Sequence, residues 1–415
     1  MILTNKYIAW AGVACLLAAR LSAEEASQTP PVASPFNTLN DTARLLAGLA
    51  PASDPAIVEL SHEESWGQYA KFFDTAWAHL ETNQLSKVRL WAKTHVPDAF
   101  ESKDNVFYMF SGPDFIYADT FYPQASNYVM CGLEPTGSIP DLSKLSPKQL
   151  HSELQALQGS VNEVMNYSFF ITKHMQNDLQ NHSLRGTIPI IYLFMARCGK
   201  TITEVNYVTI DEEGVLTTQK ESSLRSSKAP IPGVRIHFQS EGSSTTRTLY
   251  YFSSDISDAG LKHSGFLKFC KTLAPANSCV KSASYLMHES GFSSIRGFLL
   301  ENAKVLIQDD SGIPCSFFTP DNWSLTVFGH YPGPISLFND FHQKMLTELY
   351  RTTNPEPLDF GIGYRHLAGE STLMVATRKA PGAVDTDVPH ALPVTPTGPA
   401  PQHALPVQPA AAPGQ

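Results

Sequence analysis

Apolar side chains recur at steps of three or four in some stretches of the chain and alternate with polar ones in others. Trp66, Tyr69, Phe73, Trp77 and Leu80 mark one face of a helix, and Ser61 with Glu64 has the spacing of a capping box at its start. The stripe resumes at Leu85, Val88 and Trp91 and stops before Pro97. Ser146, Pro147 and Gln149 predict a second capped helix, whose stripe runs from Leu150 through Leu154, Leu157, Val161 and Val164 toward Leu179. A third helix is predicted over 339–352, with Phe338, Phe341, Met345 and Leu349 inward. Shorter helical patterns cover 258–273 and 292–303.

Strand signals fill the gaps. Apolar or alternating runs at 106–110, 128–132, 204–210, 215–218, 234–239, 246–253, 304–308, 323–330 and 371–378 are bounded by Gly, Pro, Asp and Ser. Asp211-Glu212-Glu213-Gly214 joins two of them as a hairpin, and a Gly/Ser-rich turn before Thr246 joins two more. Local hairpins set between longer helices predict an α+β protein, with a mixed, largely antiparallel sheet and several long amphipathic helices packed on it.

The two ends follow other rules. Lys6, the uncharged apolar run Tyr7 to Ala19 and a small residue at Ala23 predict an export signal over 1–23. That run ends at Arg20, short of the roughly 20 residues a membrane span needs, so no span is expected in the mature chain. Residues 24–39 read as a flexible linker and 40–379 as the globular body, one large domain or two intimately packed ones. Residues 380–415 read as a Pro/Ala-rich tail that carries HALPV at His390 and again at His403. Such a segment has almost nothing to bury against its ordering entropy.

Composition narrows the partners. Thirty basic against 39 acidic side chains give a net charge of -9 with no basic run, which argues against nucleic acid. Export permits disulfides, and Cys270 with Cys279 is the expected bridge, because Pro275 and Asn277 could turn the chain between them. Cys131 and Cys198 sit among apolar residues and read as small buried hydrophobes. No cysteine or histidine pair has zinc spacing, so neither metal nor cofactor is expected.

Most chemical motifs fail on inspection. Gly199-Lys200-Thr201 lacks the leading glycine of a phosphate loop, since Phe194 stands in its place. His62-Glu63 and His288-Glu289 lack the second histidine of a zinc protease, and Ser278 with Lys281 matches S-x-x-K without its companion elements. Two polar-aromatic stretches remain. In the first, Ser111-Gly112-Pro113 breaks a strand and presents Asp114, with Tyr117 and Asp119 close behind. In the second, Asp309 and Asp310 end an apolar strand, and Trp323, His330 and Tyr331 follow.

Carboxylates beside a histidine at strand ends can do acid/base work, and aromatic rings beside carboxylates can line a binding groove. The plainer reading is that Asp309-Asp310-Ser311-Gly312 is an ordinary turn and the rings are core. The expectation is an exported protein that binds an unknown protein or small-molecule ligand without catalysis. The alternative is a secreted hydrolase built on Asp114, Asp119, Asp309, Asp310 and His330. Convergence of these residues in one place would separate the two.

Overall fold

A computed structural model describes residues 35–167, 182–220 and 231–380. The predicted signal, the tail beyond 380 with both HALPV copies, and most of the linker lie outside these residues.

The described residues are organised around one ten-stranded sheet in the order β4-β3-β5-β6-β2-β1-β7-β8-β10-β9. Its strands are β1 (Asn105–Tyr108), β2 (Asn127–Gly132), β3 (Lys200–Ile210), β4 (Leu216–Gln219), β5 (Ile231–Ser240), β6 (Arg247–Ser253), β7 (Ala276–Val280), β8 (Ala303–Gln308), β9 (Trp323–Gly329) and β10 (Thr372–Arg378). The α+β class and the mixed sheet hold. Antiparallel pairing accounts for five of the nine contacts, all of them toward the two edges. The centre differs from the expectation: β6, β2, β1, β7 and β8 run parallel to one another.

Strand alternation divides the apolar residues between the two faces. Val106, Tyr108, Tyr128 and Met130 point into one core with the helices Glu64–Leu80, Phe115–Phe121, Pro147–Tyr167 and Ile188–Arg197. Phe107, Met109, Val129 and Cys131 point into a second core with the helices Phe266–Thr272, Ser293–Asn302 and Lys344–Thr353. Sheets buried on both faces are typical of parallel strands.

The connections locate a reversal. The chain leaves β1, passes through the helix Phe115–Phe121 on the first face and enters β2 on one side of β1. It leaves β7, passes through the helix Ser293–Asn302 on the second face and enters β8 on the other side. Crossovers of one hand that advance in opposite directions place their helices on opposite faces. The loops after β1 and β7 therefore part at their shared boundary. In open α/β sheets this is the position where ligands bind.

Several local expectations change. Cys270 and Cys279 do not pair, and all five described cysteines are free thiols. Asn277, expected to help turn the chain back, lies instead in β7, and the Cys279 of that strand faces the first core. Cys270 lies in the second core, so the sheet stands between the two sulfurs. Ser61 does not cap the helix Glu64–Leu80; it closes an additional short helix, Pro55–Leu60, by donating to the Val58 carbonyl at 2.7 Å. The Ser146–Gln149 box is present, with reciprocal bonds of 3.0 and 3.4 Å.

The third helix begins at Lys344 and buries Leu346 and Tyr350. Met345 faces solvent, while Phe338 and Phe341 belong to a preceding 3₁₀ segment. The first helix, Pro35–Leu46, starts inside the stretch read as linker. Asp41 fixes it there by accepting from the backbone amides of Ala52, Ser53 and Asp54.

Candidate functional site

The candidate site is built from the loops that follow β1, β7 and β8. Ser111-Gly112-Pro113 ends β1 as the sequence predicts, and Gly112 adopts a φ of +53°. Asp114 then caps the helix Phe115–Phe121 by accepting the Tyr117 amide at 3.3 Å. Its other carboxylate oxygen accepts the Tyr108 hydroxyl at 2.7 Å and meets the Lys281 ammonium, also at 2.7 Å. Lys281 is the first residue after β7. Both charged side chains are only 2% exposed. The Tyr117 ring lies 4.3 Å from the ammonium, so an ion pair and a cation–π contact share one buried cation.

Asp309 and Asp310 follow β8. Asp309 accepts from the Ser311 amide at 3.0 Å, the Ser311 hydroxyl at 2.5 Å and the Ser282 amide at 2.9 Å. The first two bonds are those of the predicted turn, and the third ties that turn to the β7 loop. Burial raises the Asp309 carboxyl above its usual range, against the pull of those donors and of the Lys281 charge. Asp310 accepts the Tyr285 hydroxyl at 2.5 Å. Burial, and then the neighbouring Asp309 charge, push the Asp310 carboxyl up to about 7, against the Tyr285 bond and the Arg365 charge. Near 7, the Asp310 carboxyl is partly protonated at neutral pH, where an isolated carboxylate would have lost its proton. The nearby His288 imidazole is pushed by burial down to about 4 and is neutral at pH 7.

The backbone around these side chains is strained. Five non-glycine residues among those described have left-handed φ, and four of them lie in the two loops flanking the reversal: Phe110, Ser282, Ser284 and Tyr285. Outside glycine this conformation is uncommon and costs about 1–3 kcal/mol per residue. Single π-helical turns inside α-helices are frequent at functional sites, and one, Glu81–Leu85, brings Gln84 to this region. Gln84 donates to the Tyr117 hydroxyl at 3.0 Å, and its carboxamide holds the Gly361 backbone by donating from Nε2 to the carbonyl and accepting the amide at Oε1.

The structure brings together Asp114, Tyr117, Asp309 and Asp310 from the sequence-based set. Tyr331 is close by but acts as packing. Its hydroxyl accepts the Gln343 amide at 3.1 Å, and the Gln343 side chain donates to the Asp310 carbonyl at 2.9 Å. His330 emerges at the same end of the sheet with an exposed ring, and no described hydrogen bond or ion pair joins its imidazole to either aspartate.

Asp119 and Trp323 lie elsewhere. The helix Phe115–Phe121 runs away from the strand ends, and its Asp119 pairs with Lys200 at 2.8 Å at the start of β3. Trp323 opens β9 opposite Arg378, whose guanidinium sits 4.5 Å over the ring. Neither residue can share a step with the site. Among the described residues, no group of three or more acidic, His or Cys side chains could hold a metal ion.

Lys281, Tyr108, Tyr285 and Ser311 complete the constellation and were not among the candidate site residues read from the sequence. The S-x-x-K match did contain Lys281, but for the wrong reason. Ser278 shares a face of β7 with Ala276 and Val280, whereas Lys281 follows the strand and its ammonium is held by Asp114 and the Tyr117 ring in the first core, so the serine is not placed to pass it a proton. No family model, curated protein or solved structure matches this chain, so its functional reading rests on this geometry.

Proposed function

We propose that this chain is an exported binding protein that takes a small polar ligand at the carboxyl ends of β1, β7 and β8. One observation carries the reading: the Asp114–Lys281 pair, 2.7 Å apart and 2% exposed, sits where the strand order reverses. A buried ion pair rarely stabilises a fold better than apolar packing of the same volume would. Strained loops on both sides add to the cost. Costs gathered in one place are what a recognition site leaves in a fold that is otherwise well packed. The export part is supported by the charged, apolar and small-residue segments at the N-terminus.

The test is a thermal-shift screen of small anionic, cationic and zwitterionic metabolites on the wild type and on D114N/K281M. A ligand at 100 times its Kd stabilises by about 2.7 kcal/mol, which is easily resolved as a rise in melting temperature. Compounds that raise the wild-type melting temperature should leave the double variant unshifted. Equal shifts in both proteins would place binding elsewhere. For export, N-terminal sequencing of the protein from its own cells should give a start near Glu24.

A hydrolytic reading rests on a separate observation. The Asp310 carboxyl, near 7, can gain or lose a proton at neutral pH, as a general acid or base requires. Turnover of an ester or glycoside substrate that D310N abolishes, with the melting temperature retained, would favour it.

A further inference from the structure

We infer that residues 363–370 form a flap that closes this site and must lift to admit a ligand; the ligand part of the inference rests on the reading just given. The site side chains are buried, so a ligand needs a way in. The segment between Ile362 and Ser371 has the build of a movable cover. Ile362 is 1% exposed and Ser371 is 0% exposed, and the Ile362 amide donates to the Ser371 hydroxyl at 2.8 Å, which brings the two ends of the loop together. Compact surface loops with closed ends are often functional. Between these anchors Gly363 and Gly369 adopt φ of +65° and +80°, and 367–370 are exposed, with Leu367 at 55%. Glycines at both ends of a short loop can absorb the dihedral changes of a hinge.

The loop lies directly on the carboxylates. A β-carbon placed on Gly363 would fall 1.9 Å from Asp309 Oδ2, so the backbone itself covers that oxygen. Tyr364 acts as the latch. Its hydroxyl donates to the Ser282 carbonyl at 3.0 Å, accepts the Ser284 amide at 3.1 Å and contacts the Ser284 hydroxyl at 3.0 Å. Its partners are two of the strained residues of the β7 loop. Arg365 holds the other side by donating to the Gly333 carbonyl at 2.8 Å. These ties are polar and close to the surface, the kind that opens locally at far less free energy than a core strand.

Hydrogen–deuterium exchange on the full chain, without any ligand, tests the flap directly. The amides of Ser282, Ala283 and Ser311 are held by Asp309 and Ser311 side chains beneath it. Y364F keeps the ring and removes the latch, so segments 281–286 and 309–313 should both exchange about tenfold faster, while β6 stays at the wild-type rate. R365A, cut on the opposite side, should accelerate the same two segments. The inference is overturned if Y364F changes only 282–284, where the hydroxyl bonds directly, if neither variant changes 309–313, or if β6 accelerates by the same factor. A flap that fails here leaves the ligand site standing, whereas a screen without hits leaves these exchange rates untouched.

Discussion

Lys281→Met is expected to destabilise the protein by about 3–5 kcal/mol, the loss that follows when one partner of a buried ion pair is removed. The substitution leaves the Asp114 carboxylate 2% exposed and without its cation. The Tyr108 hydroxyl still donates to it, but one neutral donor does not replace the ammonium. The second half of the prediction is more specific. In Asp114→Asn/Lys281→Met both charges are gone, while the asparagine oxygen can still accept the Tyr117 amide and its NH2 group can donate to the Tyr108 hydroxyl oxygen in the place of the second carboxylate oxygen. The double variant should therefore recover most of the loss, as neutral replacements of buried ion pairs often do. Urea midpoints at constant m-value measure both effects. A single variant within 1 kcal/mol of wild type would mean the pair is solvated, and the description of the site as a buried electrostatic centre would be wrong.

The second large effect is on pH dependence. The Asp310 carboxyl ionises near 4 in an unfolded chain and near 7 in the folded one. Between those values the folded state holds a proton that the unfolded state has released. The slope of unfolding free energy against pH follows protons bound unfolded minus folded, so it is negative in this window. Stability should fall as pH rises from about 4 to about 7, by at most about 1.4 kcal/mol per pH unit, and level off above. Buried carboxylates in ion pairs usually give the opposite trend. Asp310→Asn keeps an acceptor for the Tyr285 hydroxyl and removes the titration, so its curve should be flatter than the wild type's across the same window. Parallel curves for the two proteins would show that Asp310 ionises normally.

How much of this was legible in the sequence differs by element. The alternating and apolar strands were readable because each carries its own period. β7 was not, because Ala276-Asn277-Ser278-Cys279-Val280 is polar at its centre and its cysteine invited a bridge. The helix Ile188–Arg197 was missed for the opposite reason: it is buried from Ile188 through Ala196 and so has no polar face to mark a stripe. Parallel pairing could not be read locally, since β2 and β6 are neighbours in the sheet but more than a hundred residues apart in the chain.

The same distinction governs the site. Asp114, Asp309 and Asp310 stood out because turn-forming residues follow apolar strands there. Asp119 was grouped with Asp114 by sequence proximity alone, and the helix between them carries it toward the other end of the sheet. Lys281 becomes meaningful only when β7 is laid beside β1.

The most direct test of the central claim is a crystal structure of the protein with the metabolite that most raises its melting temperature. The account predicts density between the loops after β1, β7 and β8, within hydrogen-bond reach of Lys281, Asp309 or Asp310, with residues 363–370 displaced from Gly363's seat on Asp309. Density at any other place on the body, with the Asp114–Lys281 pair and its loops unchanged, would contradict it.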